Sequence, residues 1–296
     1  MELDDRAVPL TRGQLDIWLA QASRPGTEWQ LGLFVKIKGL VNRQVLGRAI
    51  CQALHEADST RAAFFEANGR VFQTVIDYPE IELDFFDLSR SDHPVQEAQM
   101  IASSIQHTPM PMTGPLFKFA LFQTRADECY WFTCCHHLIT DGTGMGLIGR
   151  RIAAIYTAMV SGAPIPAAFF GKLQDLVCTE LEYDTSGDYS HDQAYWEKTL
   201  PKDELVFHSP QAKRGIESSG PSSPAQLDSW VIARTKELSK ALGIRRSSVL
   251  AAACALLVHG FSTEGSQVVF DFPVGRRVHP ALKLLPGMTA GVVPLV

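Results

Sequence analysis

The sequence predicts an α/β protein organised as two lobes. The chain has 296 residues, which exceeds the usual size of a single hydrophobic core. Segments with helical periodicity alternate with short, strand-like segments in both halves. A stretch rich in Pro and Gly at 161–172 changes the composition between the halves. We therefore expect lobes at 1–170 and 171–296.

The composition argues against several function classes. A hydrophobic content of 46% and a charged content of 20% describe a globular protein with ample core material. The net charge of −5 and the lack of clustered Lys and Arg argue against a nucleic-acid partner. The start MELDDRAVPL has no secretory pattern, and the longest apolar run, about 249–258, is too short for a membrane span. The six cysteines follow no disulfide spacing, which indicates reduced core thiols in a cytoplasmic protein.

The first patterned segments alternate helix and strand. PLTRGQLDIWLAQ at 9–21 predicts a helix with Thr11 as N-cap. Its buried face would consist of three apolar residues, Leu15, Trp18 and Leu19. LGLFVKIKG at 31–39 predicts a strand, and 42–58 predicts a helix. The apolar stripe of this second helix contains Val45, Leu46, Ala49, Ile50, Ala53 and Leu54.

The rest of the first half continues the alternation. Residues 61–76 predict a hairpin that turns at Asn-Gly, the strongest short hairpin signal. A helix at 97–108 ends in a Pro-containing segment, and strands follow at 116–124 and 129–135. The segment 144–162 predicts a long helix with a Gly C-cap. Its apolar stripe contains Met145, Ile148, Ile152, Ile155, Tyr156 and Met159.

The second half is patterned more weakly. Its polar, Pro- and Ser-rich stretch at 209–226 predicts a loop. The other segments predict a helix at 189–200, a strand at 227–234, a helix at 234–244, a buried helix with a Ser N-cap at 247–262, and a strand at 267–275.

The segment HHLITDG at 136–142 is the strongest candidate for a functional site, because it joins a predicted strand to a predicted helix. Adjacent histidines point to opposite sides of an extended chain, so one metal ion is disfavoured. A Ser or Cys hydrolase is disfavoured because GxSxG is absent and the neighbouring thiols end an apolar strand. Inert core histidines and a histidine general base for acyl transfer both remain open.

Five segments in order resemble a known family. HHLITDG matches the HHxxxDG signature of the condensation domains of nonribosomal peptide synthetases, which share the chloramphenicol acetyltransferase-like fold. The opening segment is similar to the first motif of these domains, with Gln14 and Trp18 at the characteristic places. Residues 55–75 resemble the second motif, with Arg61 and Phe64. Two later segments, 192–200 and 270–295, are also similar, and the siderophore-synthetase type is the nearest in character.

The resemblance implies roles for particular residues. His137 would be catalytic, either taking the proton from the acceptor amine or orienting the amine and steadying the tetrahedral intermediate. His136 would be buried and structural. Asp141 would also be structural and would pair with an arginine, Arg277 in preference to Arg276. Gly142 would permit the turn into the helix.

The resemblance also implies a reaction and partners. A donor acyl or peptidyl group and an acceptor amine would arrive as thioesters on the phosphopantetheine arms of upstream and downstream carrier proteins, beside an adenylation domain. No cofactor or metal would be bound by the chain itself. A stand-alone CoA-dependent acyltransferase, an epimerization domain and a truncated, non-catalytic docking module remain alternatives. A heterocyclization domain is disfavoured, because its signature has aspartate where this chain has His136 and His137.

The chain departs from the family pattern near its last residue. It stops at VVPLV, where family members continue, so we expect the second lobe to be incomplete and the activity of these residues alone to be low. Family members usually have Asn where Gly291 stands and Arg where Val296 stands. Both differences would alter the acceptor side of the site.

Overall fold

The structure, a computed structural model, describes residues 7–23, 29–77, 83–200, 227–261 and 268–296. The expected loop at 209–226 lies outside the described residues. The chain forms two compact units, Met1–Tyr189 with Val274–Gly291, and Ser190–Pro273 with Val292–Val296.

These units do not follow the expected division at residue 170. The helix Leu173–Asp184 belongs to the first unit, since its Leu173 and Leu176 join the same buried cluster as Leu282 and Leu285.

The strands β1 to β7 of the first unit form two sheets. The larger has the order β2-β7-β6-β5, with β2 (Gln30–Lys38), β7 (Glu128–His136), β6 (Phe117–Arg125) and β5 (Leu83–Asp87). All its pairings are antiparallel except β5 with β6. The smaller has the order β1-β4-β3, with β1 (Val8–Pro9), β4 (Arg70–Val75) and β3 (Ala62–Ala67). The central position of β7 in the larger sheet places its last residue, His136, against buried protein.

In its described part, the first unit also contains the α-helices α1 (Arg12–Ser23), α2 (Arg43–Glu56), α3 (Pro94–His107), α4 (Gly142–Ser161) and α5 (Leu173–Asp184). The stripe predicted for α2 is confirmed, because all six of its residues are buried. The predicted hairpin is also confirmed. Asn68 and Gly69 between β3 and β4 have φ of 51° and 71°, the left-handed values that a tight hairpin turn requires.

The predicted buried face of α1 is right for Trp18, which packs against the core, and wrong for Leu15 and Leu19. Leu15 and Leu19 are 40% and 57% exposed, whereas Gln14 and Ile17 are buried. The start of the helix is as predicted: the Thr11 side chain accepts from the Gln14 N–H at 3.3 Å, and the Thr11 N–H donates to the Gln14 side chain at 3.0 Å. This reciprocal pair is a capping box. A buried glutamine has no apolar signature, so periodicity selected the buried face only in part.

The remaining elements are α6 (Gly187–Thr199), α7 (Ser229–Leu242), α8 (Arg246–Phe261), β8 (Phe270–Gly275) and β9 (Ala290–Leu295), with β8 and β9 in one two-stranded sheet. The strand predicted at 227–234 is wrong, because residues 229–234 form the start of α7. The second half of α7 consists mostly of strong helix formers. Once this half is helical, each residue added at the start of the helix gains one backbone hydrogen bond. Ile232 N–H donates to the Asp228 carbonyl at 3.1 Å in this way.

The helix α8 was predicted correctly as a helix but wrongly as a buried one with a Ser cap. It begins at Arg246, so the two serines lie in its first turn. Leu256 and Leu257 are 75% and 62% exposed, and no residue whose burial is described in this helix is buried. An apolar sequence requires a covering partner before it becomes a core, and the described part of the second unit does not cover this helix.

Across the described ranges, no single helix has the length and apolar character needed to cross a membrane. The pair α7 and α8 together meets those criteria, but the two helices are bent by 109° at the break between them.

Candidate active site

The two histidines lie where the sequence predicts, between the end of β7 and the start of α4. His136 is the last residue of β7, and Asp141 immediately precedes α4. The residues between them form a short loop, called here the histidine loop, 136–141. The strand fixes one end of this loop and the helix fixes the other.

The His136 ring is buried and held at both nitrogens. Its Nδ1 accepts the Leu138 N–H at 3.2 Å, and its Nε2 lies 3.1 Å from the side-chain oxygen of Gln21. An amide oxygen only accepts, so Nε2 carries the proton and the ring is neutral. Burial, followed by the charge of His137, lowers the pKa of His136 to about 4. His136 therefore stays uncharged at neutral pH and serves as a fixed hydrogen-bonding group.

The His137 ring is in a different environment. The residue is half-buried, and its backbone N–H donates to the Trp29 carbonyl at 2.7 Å. Its Nδ1 is buried without a hydrogen-bond partner among the described residues. A buried polar nitrogen without a partner costs free energy and is unusual in folded proteins. At His137 this nitrogen is left with unused hydrogen-bonding capacity.

The backbone after His137 is fixed by a network of glutamines. The Leu138 carbonyl accepts from Gln14 Nε2 at 2.9 Å. Gln14 and Gln73 also exchange hydrogen bonds through their side chains, at 2.9 and 2.8 Å, and Gln73 donates to the Pro9 carbonyl at 3.1 Å. Gln14 and Gln73 are both buried, at 1% and 0% exposure. The loop therefore rests on a polar network inside the core.

Asp141 is the acceptor that closes the other end of the loop. One carboxylate oxygen accepts the Gly144 N–H at 2.9 Å and caps α4. The other accepts from Arg277, the Thr289 N–H and hydroxyl, and the Ala290 N–H, at 2.7 to 3.1 Å. Burial raises the pKa of this carboxyl, but the Arg277 bond and charge and the backbone donors outweigh it, so the net pKa is lowered. Asp141 is ionised at neutral pH.

The two candidate arginines are in different places. Arg277 lies against Asp141 and also donates to the carbonyls of Leu285 and Gly287, at 3.2 and 2.9 Å. Arg276 makes no such contact with Asp141 in the described residues. Its guanidinium fills the space that a side chain at Gly291 would enter, and its charge acts on Glu180. A larger residue at position 291, such as the Asn expected from the family pattern, would displace this guanidinium.

Gly142 is not the turn residue that the sequence suggests. It is the first residue of α4, it has no positive φ, and an added Cβ there would meet nothing within 4 Å. The close approach is two residues later. A Cβ at Gly144 would collide with the Pro286 carbonyl and the Thr140 hydroxyl. Gly144 is therefore the glycine that packing requires.

Several supporting residues were missed by sequence reasoning. Gln21, Gln73 and Thr289 lie inside segments that resemble family motifs, but no role was assigned to them, because single polar residues at core positions have no repeating signal. The Arg-Arg pair at 150–151 was interpreted only as a basic spot. Arg151 is instead 1% exposed and bridges α4 to α2 by two bonds to Glu56, at 2.6 and 2.8 Å. This pair fixes the helix that the histidine loop enters.

The fold and the site together define a class, the α/β proteins with an HHxxxDG loop closed by an Asp–Arg pair. Comparison with known proteins is more specific. The model of the condensation-domain family matches residues 5–296. The chain therefore belongs to the condensation-domain family, whose members are amide-bond-forming acyltransferases. The family and the α/β fold predicted from the sequence are confirmed.

Two relatives are nonribosomal peptide synthesis proteins. The chain is 28% identical to a dimodular nonribosomal peptide synthase of Bacillus subtilis, with 98% of this chain and 12% of that protein covered. It is 30% identical to enterobactin synthase component F of Escherichia coli K12, with 97% of this chain and 23% of that protein covered. The chain thus spans less than a quarter of each of these relatives.

Solved condensation domains have the same fold. The first condensation domain of the calcium-dependent antibiotic synthetase, in complex with a substrate analogue, is 28% identical with a TM-score of 0.83, covering 98% of this chain and 69% of that one. A starter condensation domain of rhizomide synthetase, a mutant in complex with C8-CoA and Leu-SNAC, is 25% identical with a TM-score of 0.83, covering 98% and 66%.

Proposed function

We propose that this chain joins a donor acyl or peptidyl thioester to an acceptor amine, with both groups on the phosphopantetheine arms of carrier proteins. The observation that carries the proposal is the environment of His137. Its Nδ1 is buried without a partner among the described residues, and the ring is half-buried at the end of a fixed strand. Family membership supports the same reaction class.

In the proposed reaction the amine nitrogen attacks the thioester carbonyl carbon. A C–N bond forms, the C–S bond breaks, and the pantetheine thiol leaves with one proton. His137 either takes the proton from the attacking amine or holds the amine while the tetrahedral intermediate forms. General base catalysis contributes typically about 10²–10⁴-fold. Because a thioester is already activated, positioning alone contributes up to about 7–11 kcal/mol in favourable cases.

The roles of the other residues follow from their partners. His136 is proposed as the neutral support of the loop, because both its nitrogens are hydrogen-bonded. Asp141 and Arg277 are proposed to fix the loop to the segment 285–290, and Arg276 to support the neighbouring backbone. Gly142 is proposed to leave space beside the site, since nothing lies within 4 Å of its Cβ direction.

The proposed partners are upstream and downstream carrier proteins and an adjacent adenylation domain, in the cytoplasm, without nucleic acid or membrane. No cofactor is proposed to bind the chain directly. Phosphopantetheine arrives on the carriers, as it does for condensation domains in general. Similarity to enterobactin synthase component F makes siderophore synthesis the proposed pathway class.

A second candidate donor is an acyl-CoA. It is favoured by one observation, the similarity to a starter condensation domain whose structure contains C8-CoA. The acceptor and the role proposed for His137 would be unchanged.

The test is a reconstituted condensation assay with donor- and acceptor-loaded carriers. We expect amide product from the wild-type chain and a fall of about 10²–10⁴-fold with His137→Ala if His137 is the base. The matched control is His93→Ala, since His93 is an exposed histidine whose side chain makes no cap hydrogen bond. Equal product from His137→Ala and wild type would remove the catalytic assignment.

Two further assays separate the alternatives. Replacing the loaded donor carrier by an acyl-CoA tests the second candidate. Deuterium uptake at the α-carbon of a single loaded carrier in deuterated water, without amide formation, would indicate an epimerization domain instead.

A further inference from the structure

The inner face of α1 holds the histidine loop through two glutamines. Gln14 and Gln21 are seven residues apart, which is two helical turns, so both side chains lie on the same side of α1. Gln14 donates to the Leu138 carbonyl, and the Gln21 side-chain oxygen meets His136 Nε2. Two polar contacts from one helix therefore converge on residues immediately before and after His137.

The Gln21 contact determines the tautomer of His136. Because the amide oxygen of Gln21 accepts, the proton of the neutral ring is on Nε2, and Nδ1 is left as an acceptor. Nδ1 uses that capacity to accept the Leu138 N–H. The opposite tautomer, or the doubly protonated ring, would direct an Nδ1–H at the Leu138 N–H. Gln21 therefore stabilises the one protonation state that fixes Leu138.

The backbone contacts around His137 matter because its buried Nδ1 has no hydrogen-bond partner among the described residues. Its own N–H is bonded to Trp29, and both backbone groups of Leu138 are bonded, to His136 and to Gln14. The peptide units on both sides of His137 are thus fixed, and they set the direction in which its side chain leaves the backbone.

We propose that Gln21 and Gln14 are positioning residues for His137, with Gln21 acting through the His136 tautomer and Gln14 through the Leu138 carbonyl. The inference rests on the function proposed for His137. Neither glutamine is proposed to touch substrate. Gln14 stands at a characteristic place of the first motif, whereas Gln21 ends the same segment without an assigned place.

Other titratable groups lie on the elements around His136. Cys134 is on the same face of β7 as His136, and Lys118 of β6 is paired with Cys134. The Lys118 ammonium donates to the carbonyls of Ile105 and Thr108. His107 ends α3, with its ring near Ser103. Apart from burial, only His137 contributes to the lowered pKa of His136. A new charge at position 21 would therefore be the main additional influence on the pKa of His136.

The test is Gln21→Glu, with Gln174→Glu as the matched control. Gln174 is an exposed glutamine of α5 in the same unit. A carboxylate next to Nε2 stabilises the imidazolium of His136, and that form cannot accept the Leu138 N–H. We expect the kcat of Gln21→Glu, relative to wild type and Gln174→Glu measured at the same pH, to fall by up to about 100-fold toward acidic pH. The KM for the loaded carriers should not change.

Imidazole ¹⁵N NMR provides a readout that is independent of activity. We expect the Nε2–H tautomer of His136 in the wild type from neutral pH to near pH 5, and an imidazolium at higher pH in Gln21→Glu, with a shift of the Leu138 amide resonance. Gln21→Leu should lower kcat at every pH. If Gln21→Leu does not fold, Gln21→Glu still tests the positioning role.

Two results would overturn the inference. The first is an Nδ1–H tautomer of His136 in the wild type. The second is a kcat profile of Gln21→Glu that matches the wild type although His136 has become charged. Loss of product in His137→Ala tests the proposed function separately, so the second result with an inactive His137→Ala would refute the positioning role alone.

Discussion

The histidine loop is held at its two ends by opposite kinds of chemistry. At the first end, the neutral anchor consists of His136, Gln14 and Gln21, and every contact is a hydrogen bond between uncharged groups. At the second end, the charged anchor consists of Asp141 and Arg277, whose side chains are 5% and 10% exposed. The neutral anchor depends on which nitrogen of one ring carries the proton. The charged anchor depends on keeping a buried ion pair complete.

The comparison predicts different failure modes. A neutral anchor should weaken gradually as pH falls and its ring is protonated. A charged anchor should be insensitive to pH over most of the physiological range and should fail when one partner is removed, since the other is then a buried charge without compensation.

The largest effect is expected at the charged anchor. The Asp141 carboxylate receives five hydrogen bonds. Asp141→Asn would remove one of its two acceptor oxygens and the negative charge that compensates Arg277. Breaking a buried ion pair in this way typically costs about 3–5 kcal/mol in the free energy of unfolding. Urea unfolding at neutral pH measures the loss.

A double variant sharpens this prediction. Asp141→Asn with Arg277→Met leaves no buried cation, so it should be less destabilised than Asp141→Asn alone. The control is Arg234→Ala, which breaks an exposed pair with Glu237 and should cost no more than about 0.5 kcal/mol. Equal losses from the single and double variants would show that the cation at position 277 is not the source of the cost.

The next effect is expected at the neutral anchor and appears as pH dependence. The folded His136 has a pKa of about 4, against 6.5 for the unfolded chain. Between these values the unfolded state binds the proton and the folded state does not, so the free energy of unfolding decreases as pH falls from 6.5 to 4. The difference corresponds to roughly 3 kcal/mol from this one group.

The measurement is urea unfolding from pH 7 to pH 4 for the wild type and His136→Gln. A glutamine retains a donor and an acceptor but does not titrate, so its curve should be flatter over this range. Asp141 has a lowered pKa, so its contribution is present above the ordinary Asp range and is lost only at more acidic pH. Parallel curves for the two proteins would contradict the assignment of a neutral, buried His136.

The two anchors were also unequally visible in the sequence. The Asp141–Arg277 pair was anticipated because both residues stand in motifs of the condensation-domain family, and a match fixes positions far apart in the chain. The neutral anchor was predicted only in part. Gln14 and Gln21 both lie in the segment that resembles the first motif, but neither had an assigned contact, because their contacts depend on how α1 meets the end of β7.

The fold was likewise predictable from the sequence only in part. Regular patterns with one buried face, such as the stripe of α2 and the Asn-Gly hairpin, were predicted correctly because local periodicity and turn chemistry decide them. Errors arose where burial depends on distant partners. The inner face of α1 includes a buried glutamine, most of the strand expected at 227–234 is the start of α7, and α8 is apolar yet exposed.

The smallest effect is expected from the two glycines at the start of α4, which test how closely the charged anchor packs. Gly144→Ala would push a methyl group into the Pro286 carbonyl and the Thr140 hydroxyl, and overpacking of this kind costs about 1–3 kcal/mol. Gly142→Ala enters open space at a position with ordinary backbone angles, so better helix propensity should stabilise the protein by at most about 1 kcal/mol. Thermal or urea unfolding of both variants gives the comparison. If Gly142→Ala were the more destabilising, the histidine loop would have to enter α4 through a tighter turn than the one described, and Gly142, as the sequence first suggested, would be its turn residue.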